Sequence, residues 1–201
     1  MNKDEIEVKF YILHLKDLEA RLRNLGAQVS QPRMLEINLR FDTPDGSLTR
    51  AGQVLRLRRE ADFRFTYKEP MRIIDSVSVR KEIEFTVGDF NAAKAFLEAL
   101  GYQVSVMYEK YRACYVLQDV EVSLDELPYG TFIEIEGPDP ASVNAVQSLL
   151  GLNSQARVLE SYLVLFERLK LRRNLTFRDL NFENFKGISI SHSDFPVIPA
   201  D

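Results

Sequence analysis

Cysteine, histidine and long apolar runs are scarce in this chain, and each shortage removes a class of function. Cys114 is the single cysteine among 201 residues, so no intramolecular disulfide can form, and a reducing cytoplasm is the expected compartment. With His14 and His192 as its two histidines, the sequence offers no Cys/His cluster at zinc-ligand spacing. Excess positive charge is missing as well. A formal net charge of -4 argues against general binding to nucleic acid or an anionic membrane, which requires a net basic surface. There is no run of about 18 apolar residues, and "MNKDEIEV" has no basic segment followed by an apolar one, so neither a membrane span nor a signal peptide is expected. What is present is 45% hydrophobic and 28% charged residues, enough apolar material for a core in a soluble protein.

Alternating apolar and polar residues recur at 4–13, about 33–42, 52–60, 63–69, 76–87, 104–117, 119–125 and 130–136, which predicts about eight strands. Helical patterns occupy "LKDLEARLRNLGA", ending at Gly26, "GDFNAAKAFLEALGY", starting near Asp89 and stopping at Gly101, and "DPASVNAVQSLLGL", with Pro140 in its first turn. A fourth, "VLESYLVLFERLKLRR", follows residue 157, and 42–53 reads as a turn-rich loop. The fold class is therefore α+β: a mainly antiparallel sheet whose eight strands can close into a barrel, removing their edges, with helices packed outside. Residues 1–171 read as the domain. Residues 172–201 read as a C-terminal tail, packed on it or extending from it, with no core of its own.

The charged residues fall in phase along these strands. "DEIEVKF" alternates Glu5, Glu7 and Lys9 with Ile6, Val8 and Phe10. Later strands repeat the device with Arg56 and Arg58, Lys68, Arg80 with Glu82 and Glu84, Lys110 and Arg112, Asp125, and Glu134 with Glu136. On a single strand this would be a wet sheet face. Repeated on six or more, and rich in Arg and Glu, it implies a closed sheet with its apolar face outward and a charged lumen, where such charges are costly unless paired or bound to ligand. Clustered carboxylates without His or Cys suit a hard divalent cation such as Mg²⁺ or Mn²⁺, and clustered Arg and Lys suit phosphate oxygens. A metal-chelated polyphosphate satisfies both.

At these residues the sequence resembles the CYTH domain, the triphosphate tunnel metalloenzyme superfamily that includes class IV adenylyl cyclases, thiamine triphosphatases and inorganic triphosphatases. The resemblance rests on Glu5-Ile6-Glu7-Val8-Lys9 as the ExExK signature, followed in order by "DTPDGSLTRAGQVLRLR", "TYKEP", "RKEIEF", "EKYRACY", "SLDELPYGTFIEIEG" and "ESYLVLF", over roughly residues 4–167. It implies an eight-stranded antiparallel tunnel. It makes Glu5, Glu7, Glu134 and Glu136 metal ligands, and Asp125 a ligand or orienter of a second metal or its water. Arg56, Arg58, Lys68, Arg80, Lys110 and Arg112 become the grip on the triphosphate, and Lys9 either contacts phosphate or holds Glu5 and Glu7 in place. Glu82 and Glu84 match the acidic pair of the middle strand. The second strand departs from the pattern, with Asn38 where an acidic residue is usual and Arg40 where an aromatic is common. Arg168 or Lys170 is the candidate basic residue on the last helix.

The resulting expectation is a cytoplasmic, Mg²⁺- or Mn²⁺-dependent hydrolase acting on tripolyphosphate, thiamine triphosphate or ATP, with no nucleic-acid or membrane partner and with oligomeric state open, a homodimer included. The alternatives are a class IV adenylyl cyclase and a non-enzymatic polyphosphate or nucleotide sensor. The cyclases as recognised carry a His-Phe pair shortly before ExExK, and "MNKD" has none. Cys114 reads as a small strand residue, Tyr162 as helix packing, and His14 and His192 as surface residues.

Overall fold

The computed structural model describes residues 2–74, 77–195 and 197–201. The strands are β1 (Asn2–Ile12), β2 (Gln28–Asp42), β3 (Val54–Arg59), β4 (Phe63–Lys68), β5 (Arg72–Ile74), β6 (Val77–Val87), β7 (Gln103–Leu117), β8 (Val120–Leu127) and β9 (Gly130–Glu136). Eight of them form an antiparallel ring in the order β1-β9-β8-β7-β2-β3-β4-β6. The ring closes where β6 pairs with β1, for example Glu5 with Arg80 and Ile6 with Val79. The expected eight-stranded tunnel is therefore present. The short β5 adds to β6 beside it, and three residues are too few to display a period in the sequence. Residue 76, the expected start of the fifth strand, lies outside the described residues.

β2 starts at Gln28, earlier than its alternation indicates. Its pairing with β7 shifts register between Val29 and Gln31 and again between Gln31 and Met34, with Pro32 inside the second irregularity. A bulge accommodates a proline that cannot donate to the ladder, and it also breaks the period-2 pattern from which strands are read.

The helices are α1 (Leu15–Asn24), α2 (Ser47–Arg50), α3 (Phe90–Ala99), α4 (Pro140–Leu149) and α5 (Tyr162–Arg173). Leu18 and Leu22 of α1 and Val143 and Val146 of α4 pack on Val8, Phe10, Val122 and Ile135. α3 lays Phe90 and Leu97 against Phe41 and Leu57, and α5 sets Leu165 and Phe166 on Tyr11, Tyr129 and Phe132. These strand residues are mostly the apolar partners in the alternation, so the apolar face points outward beneath the helices and the charged face points inward. Local chemistry sets the helix ends. Asp89 caps α3 by accepting from the N–H groups of Asn91 and Ala92. Gly101, at φ +90°, takes the left-handed turn that lets the Tyr102 N–H reach the Leu97 carbonyl. The single turn α2 sits inside the loop read as turn-rich, capped by the Asp42 carboxylate, which accepts from the N–H groups of Thr43, Leu48 and Thr49.

The chain after α5 packs on the ring. Leu180, Phe185 and Phe195 are buried in the aromatic cluster around Phe132 and Phe166. Leu180 exchanges backbone hydrogen bonds with Met107 and Glu109, and the Asp201 carboxylate accepts from the N–H groups of Leu13 and His14 at 2.8 and 2.6 Å. No helix among the described residues is long and apolar enough to cross a membrane.

Candidate functional site

The inward side chains of the ring enclose a cavity of about 490 Å³, within the size range of small-molecule sites. Period-2 geometry delivers them: Glu5, Glu7 and Lys9 from β1, Arg56 and Arg58 from β3, Lys68 from β4, Arg80, Glu82 and Glu84 from β6, Lys110 and Arg112 from β7, and Glu134 and Glu136 from β9. Asp125 of β8, the remaining charged residue expected in the lumen, is fully buried one layer behind its wall.

Asp125 organises one side of the cavity. Its Oδ1 accepts from Arg112 Nε at 2.6 Å, and its Oδ2 accepts from a second Arg112 nitrogen at 2.5 Å, from Lys110 Nζ at 3.1 Å and from the Tyr162 hydroxyl at 2.7 Å. The Arg112 fork continues to Glu134, whose carboxylate also lies 3.1 Å from Lys9 Nζ. Lys9 in turn stands 4.2 Å from the centroid of the Tyr162 ring. Burial alone would push Glu134 up, but Lys9, Arg112 and Lys110 outweigh it and hold the carboxyl well below its ordinary range. Burial and the neighbouring Asp125 and Glu134 raise the Tyr162 hydroxyl well above 10, so it stays a donor at neutral pH.

On β3, β4 and β6 the same logic runs through Glu84. It accepts from Arg64 at 2.9 Å, from the Thr66 hydroxyl at 2.9 Å and from Arg58 at 3.2 Å, with Arg56 at 3.6 Å. Burial opposes its ionisation, but Arg58, Arg64 and Arg56 prevail and hold it at about 2. Lys68 lies between Glu5 at 2.5 Å and Glu82 at 3.0 Å. Against burial, Lys68 keeps the Glu5 carboxyl below its ordinary value. The interior is thus a set of cations aimed by buried carboxylates, with the Nε atoms of Arg40 and Arg56 buried and lacking hydrogen-bond partners. Unsatisfied buried donors are costly in an empty cavity and useful to an anion.

Glu7 differs from Glu5, Glu84 and Glu134. Its carboxyl makes no hydrogen bond or ion pair among the described residues. Burial, with repulsion from Glu134 and Glu5, pushes it up to about 8. Three carboxyls close enough to repel one another, with no His or Cys beside them, form a donor set suited to a hard divalent cation. No group of three or more acidic, histidine or cysteine side chains among the described residues is already gathered at metal-binding geometry, because Glu5 faces Lys68 and Glu134 faces Lys9 and Arg112. The residues fit such an ion by their chemistry, with lysines standing where a cation would neutralise them.

Other site residues went unread in the sequence. Glu36 of β2, fully buried, lies 3.6 Å from Lys110 and 3.7 Å from Arg58 and accepts from Asn38 Nδ2 at 2.9 Å. Burial would raise its pKa, but Lys110, Arg112 and Arg58 draw it far below the ordinary carboxylate range. The second strand therefore does carry an acid, two residues before the expected position. Its signal was the alternation Glu36, Asn38, Arg40. Arg64 and Tyr108 also line the cavity, in phase with Lys68 and Lys110. Tyr162 packs on Phe132 as a helix residue should, with ring centroids 5.1 Å apart, and in addition reaches Asp125. Arg168 pairs with Glu160 and Lys170 with Glu167, and neither lines the cavity. Cys114 is buried with its Sγ 3.4 Å from the Ser123 hydroxyl, as a small strand residue would be.

Comparison with known proteins agrees with this geometry. A protein of Methanocaldococcus jannaschii described as a candidate adenylate cyclase is 27% identical over 177 residues, covering 87% of this chain and 94% of that one. A structure from Vibrio parahaemolyticus, also described as a candidate adenylate cyclase, superposes with a TM-score of 0.73 at 20% identity, covering 83% of this chain and 99% of that one. A Hippeastrum protein described as a candidate adenylyl cyclase with a dominant triphosphatase activity has a TM-score of 0.62 at 20% identity, covering 81% of this chain and 95% of that one. These two structures share the fold. The sequence model of the CYTH domain matches residues 3–163, and the chain belongs to that family.

Proposed function

We propose that the protein is a divalent-metal-dependent triphosphatase that hydrolyses the terminal phosphoanhydride of a triphosphate bound inside the ring. The observation that carries this reading is the pairing within the cavity: Glu5 with Lys68 and Glu134 with Lys9, beside a Glu7 that makes no hydrogen bond or ion pair among the described residues. A ligand bringing both signs exchanges these pairs. Glu5, Glu7, Glu134 and Glu136 would hold the ion, Mg²⁺ or Mn²⁺, and Lys9 and Lys68 would turn to phosphate oxygens. When bound, the ion supplies charge neutralisation at those oxygens.

The remaining work is positioning and charge stabilisation, on which phosphoryl transfer chiefly depends. Lys110 and Arg112 are held in place by Asp125 and Tyr162, and Arg56 and Arg58 by Glu84 and Glu36, so the donors are aimed before substrate arrives. In this reading Asp125 orients the cations, because both its oxygens already carry donors. Orthophosphate release from tripolyphosphate, thiamine triphosphate and ATP, assayed with Mg²⁺ and Mn²⁺, is the test. Glu134→Gln should abolish release while keeping the circular dichroism of the parent, and a parent that releases none from any of the three refutes the reading.

The likeness to the Methanocaldococcus protein supports a second reading, cyclisation of ATP in the same cavity. Cyclic AMP with pyrophosphate, in place of ADP with orthophosphate, would select it.

A further inference from the structure

Among the described residues, two cations of the cavity, Arg40 and Arg80, have no carboxylate within 4 Å. Lys9, Lys68, Lys110, Arg56, Arg58, Arg64 and Arg112 each have a carboxylate within 4 Å. Arg40, by contrast, makes no side-chain hydrogen bond and no ion pair among the described residues. The acid nearest to it along its strand, Asp42, has both carboxylate oxygens committed to the backbone and hydroxyl donors of the α2 turn. Arg40 faces Arg56 across the β2–β3 ladder, and Arg80 of β6 is close enough to repel it. Among the described residues, the Arg80 guanidinium donates only to backbone carbonyls, those of Glu69 at 2.7 Å and Gly52 at 2.9 Å. Burial, then the charges of Arg56 and Arg80, hold Arg40 below the ordinary arginine range, a penalty that an anion would reverse.

We propose that Arg40 is a specificity-determining residue. With Arg56 and Arg80 it forms an anion subsite at one end of the cavity that takes a phosphate of an all-phosphate chain in preference to a neutral nucleoside. A guanidinium with its donors unspent binds phosphate oxygens through a planar fork. A nucleoside seated there would leave the Arg40 and Arg80 charges uncompensated in a partly enclosed space. Val54 is the one apolar residue of β3 that lines the cavity, against the largely apolar and aromatic walls that small-molecule sites use. The inference rests on the triphosphatase reading for its substrate class but on the unpaired guanidinium for its position.

The test compares the parent with Arg40→Leu and Arg40→Lys on tripolyphosphate and ATP, measuring kcat/KM for orthophosphate release with Mg²⁺ and, separately, Kd for each ligand by calorimetry in chelator. Arg40→Leu should lower kcat/KM and affinity for tripolyphosphate by about tenfold to a hundredfold, the loss expected for a charge-assisted contact. ATP should lose less than about threefold, and Arg40→Lys should keep most of the selectivity for tripolyphosphate. Equal losses on the two ligands, or none on either, overturn the inference. If the parent releases no orthophosphate, the triphosphatase reading fails, and the Kd ratios still decide the role of Arg40.

Discussion

Replacing Glu7 by Gln tests a cavity acid that makes no ion pair or hydrogen bond among the described residues. In the folded chain its carboxyl is raised from 4.5 to about 8 by burial and by repulsion from Glu134 and Glu5. A carboxyl with a raised folded-state pKa binds its proton more tightly folded than unfolded. Its stabilising contribution is complete below about 4.5, declines as pH rises, and is gone above about 8. At about 1.4 kcal/mol for each pH unit of that interval, the ceiling on the change is about 5 kcal/mol. Urea unfolding in chelator between pH 5 and 9 should therefore show the parent losing stability with rising pH, while Glu7→Gln, which cannot ionise, loses much less and is the more stable of the two at pH 9. Adding Mg²⁺ at pH 9 should restore the parent by mass action and do less for the variant. Parallel stability curves for parent and variant across this range would refute the assignment of Glu7 as a half-buried acid whose neighbouring carboxylates hold its proton.

Tyr162→Phe keeps the ring beneath Lys9 but removes the 2.7 Å hydrogen bond to Asp125. A loss of about 2 kcal/mol, and a Tm about 4–8 °C lower, is expected in differential scanning calorimetry, and an unchanged Tm would count against this role for the hydroxyl. Gly130→Ala would put a Cβ 2.8 Å from Tyr11 Cε2 in a packed aromatic cluster. It should cost about 1–3 kcal/mol in urea unfolding, and a neutral result would mean that Tyr11 yields without strain. Ending the chain at Asn174 removes the buried Leu180, Phe185 and Phe195, with a loss on the order of 5 kcal/mol. An unchanged urea midpoint would show that these residues add nothing to the ring.

Where the alternation was unbroken, the sequence was a good guide. β1, β3, β4 and β9 fall within two residues of their expected limits, and the charged residues expected in the lumen line the cavity, with Asp125 one layer behind. The misses have physical causes. The start of β2 is masked by Pro32 and its bulges, and β5 is too short to have a period. Glu36 lies on the same face as Asn38 and Arg40, at the edge of the bulged stretch where the alternation is broken. The Tyr162 ring packs as a helix residue's should, while its hydroxyl meets Asp125 from 37 residues away in sequence, a contact no local pattern displays. The segment after residue 171 has no periodicity of its own because its apolar residues are spaced to fit a surface that other elements build.

The sequence by itself determined that one face of many strands is ionic and the other apolar, because side-chain direction alternates along any extended chain. That was enough to require a closed sheet with charge inside and to propose a ligand carrying both signs. Only the tertiary structure decided which charges meet. Among the described residues, Asp125 is committed to Arg112, Lys110 and Tyr162, while Glu7 and Arg40 make no side-chain hydrogen bond or ion pair. Those outcomes depend on register and curvature across non-neighbouring strands, and cross-strand distances of a few ångströms are set by closure of the ring, which no local pattern encodes.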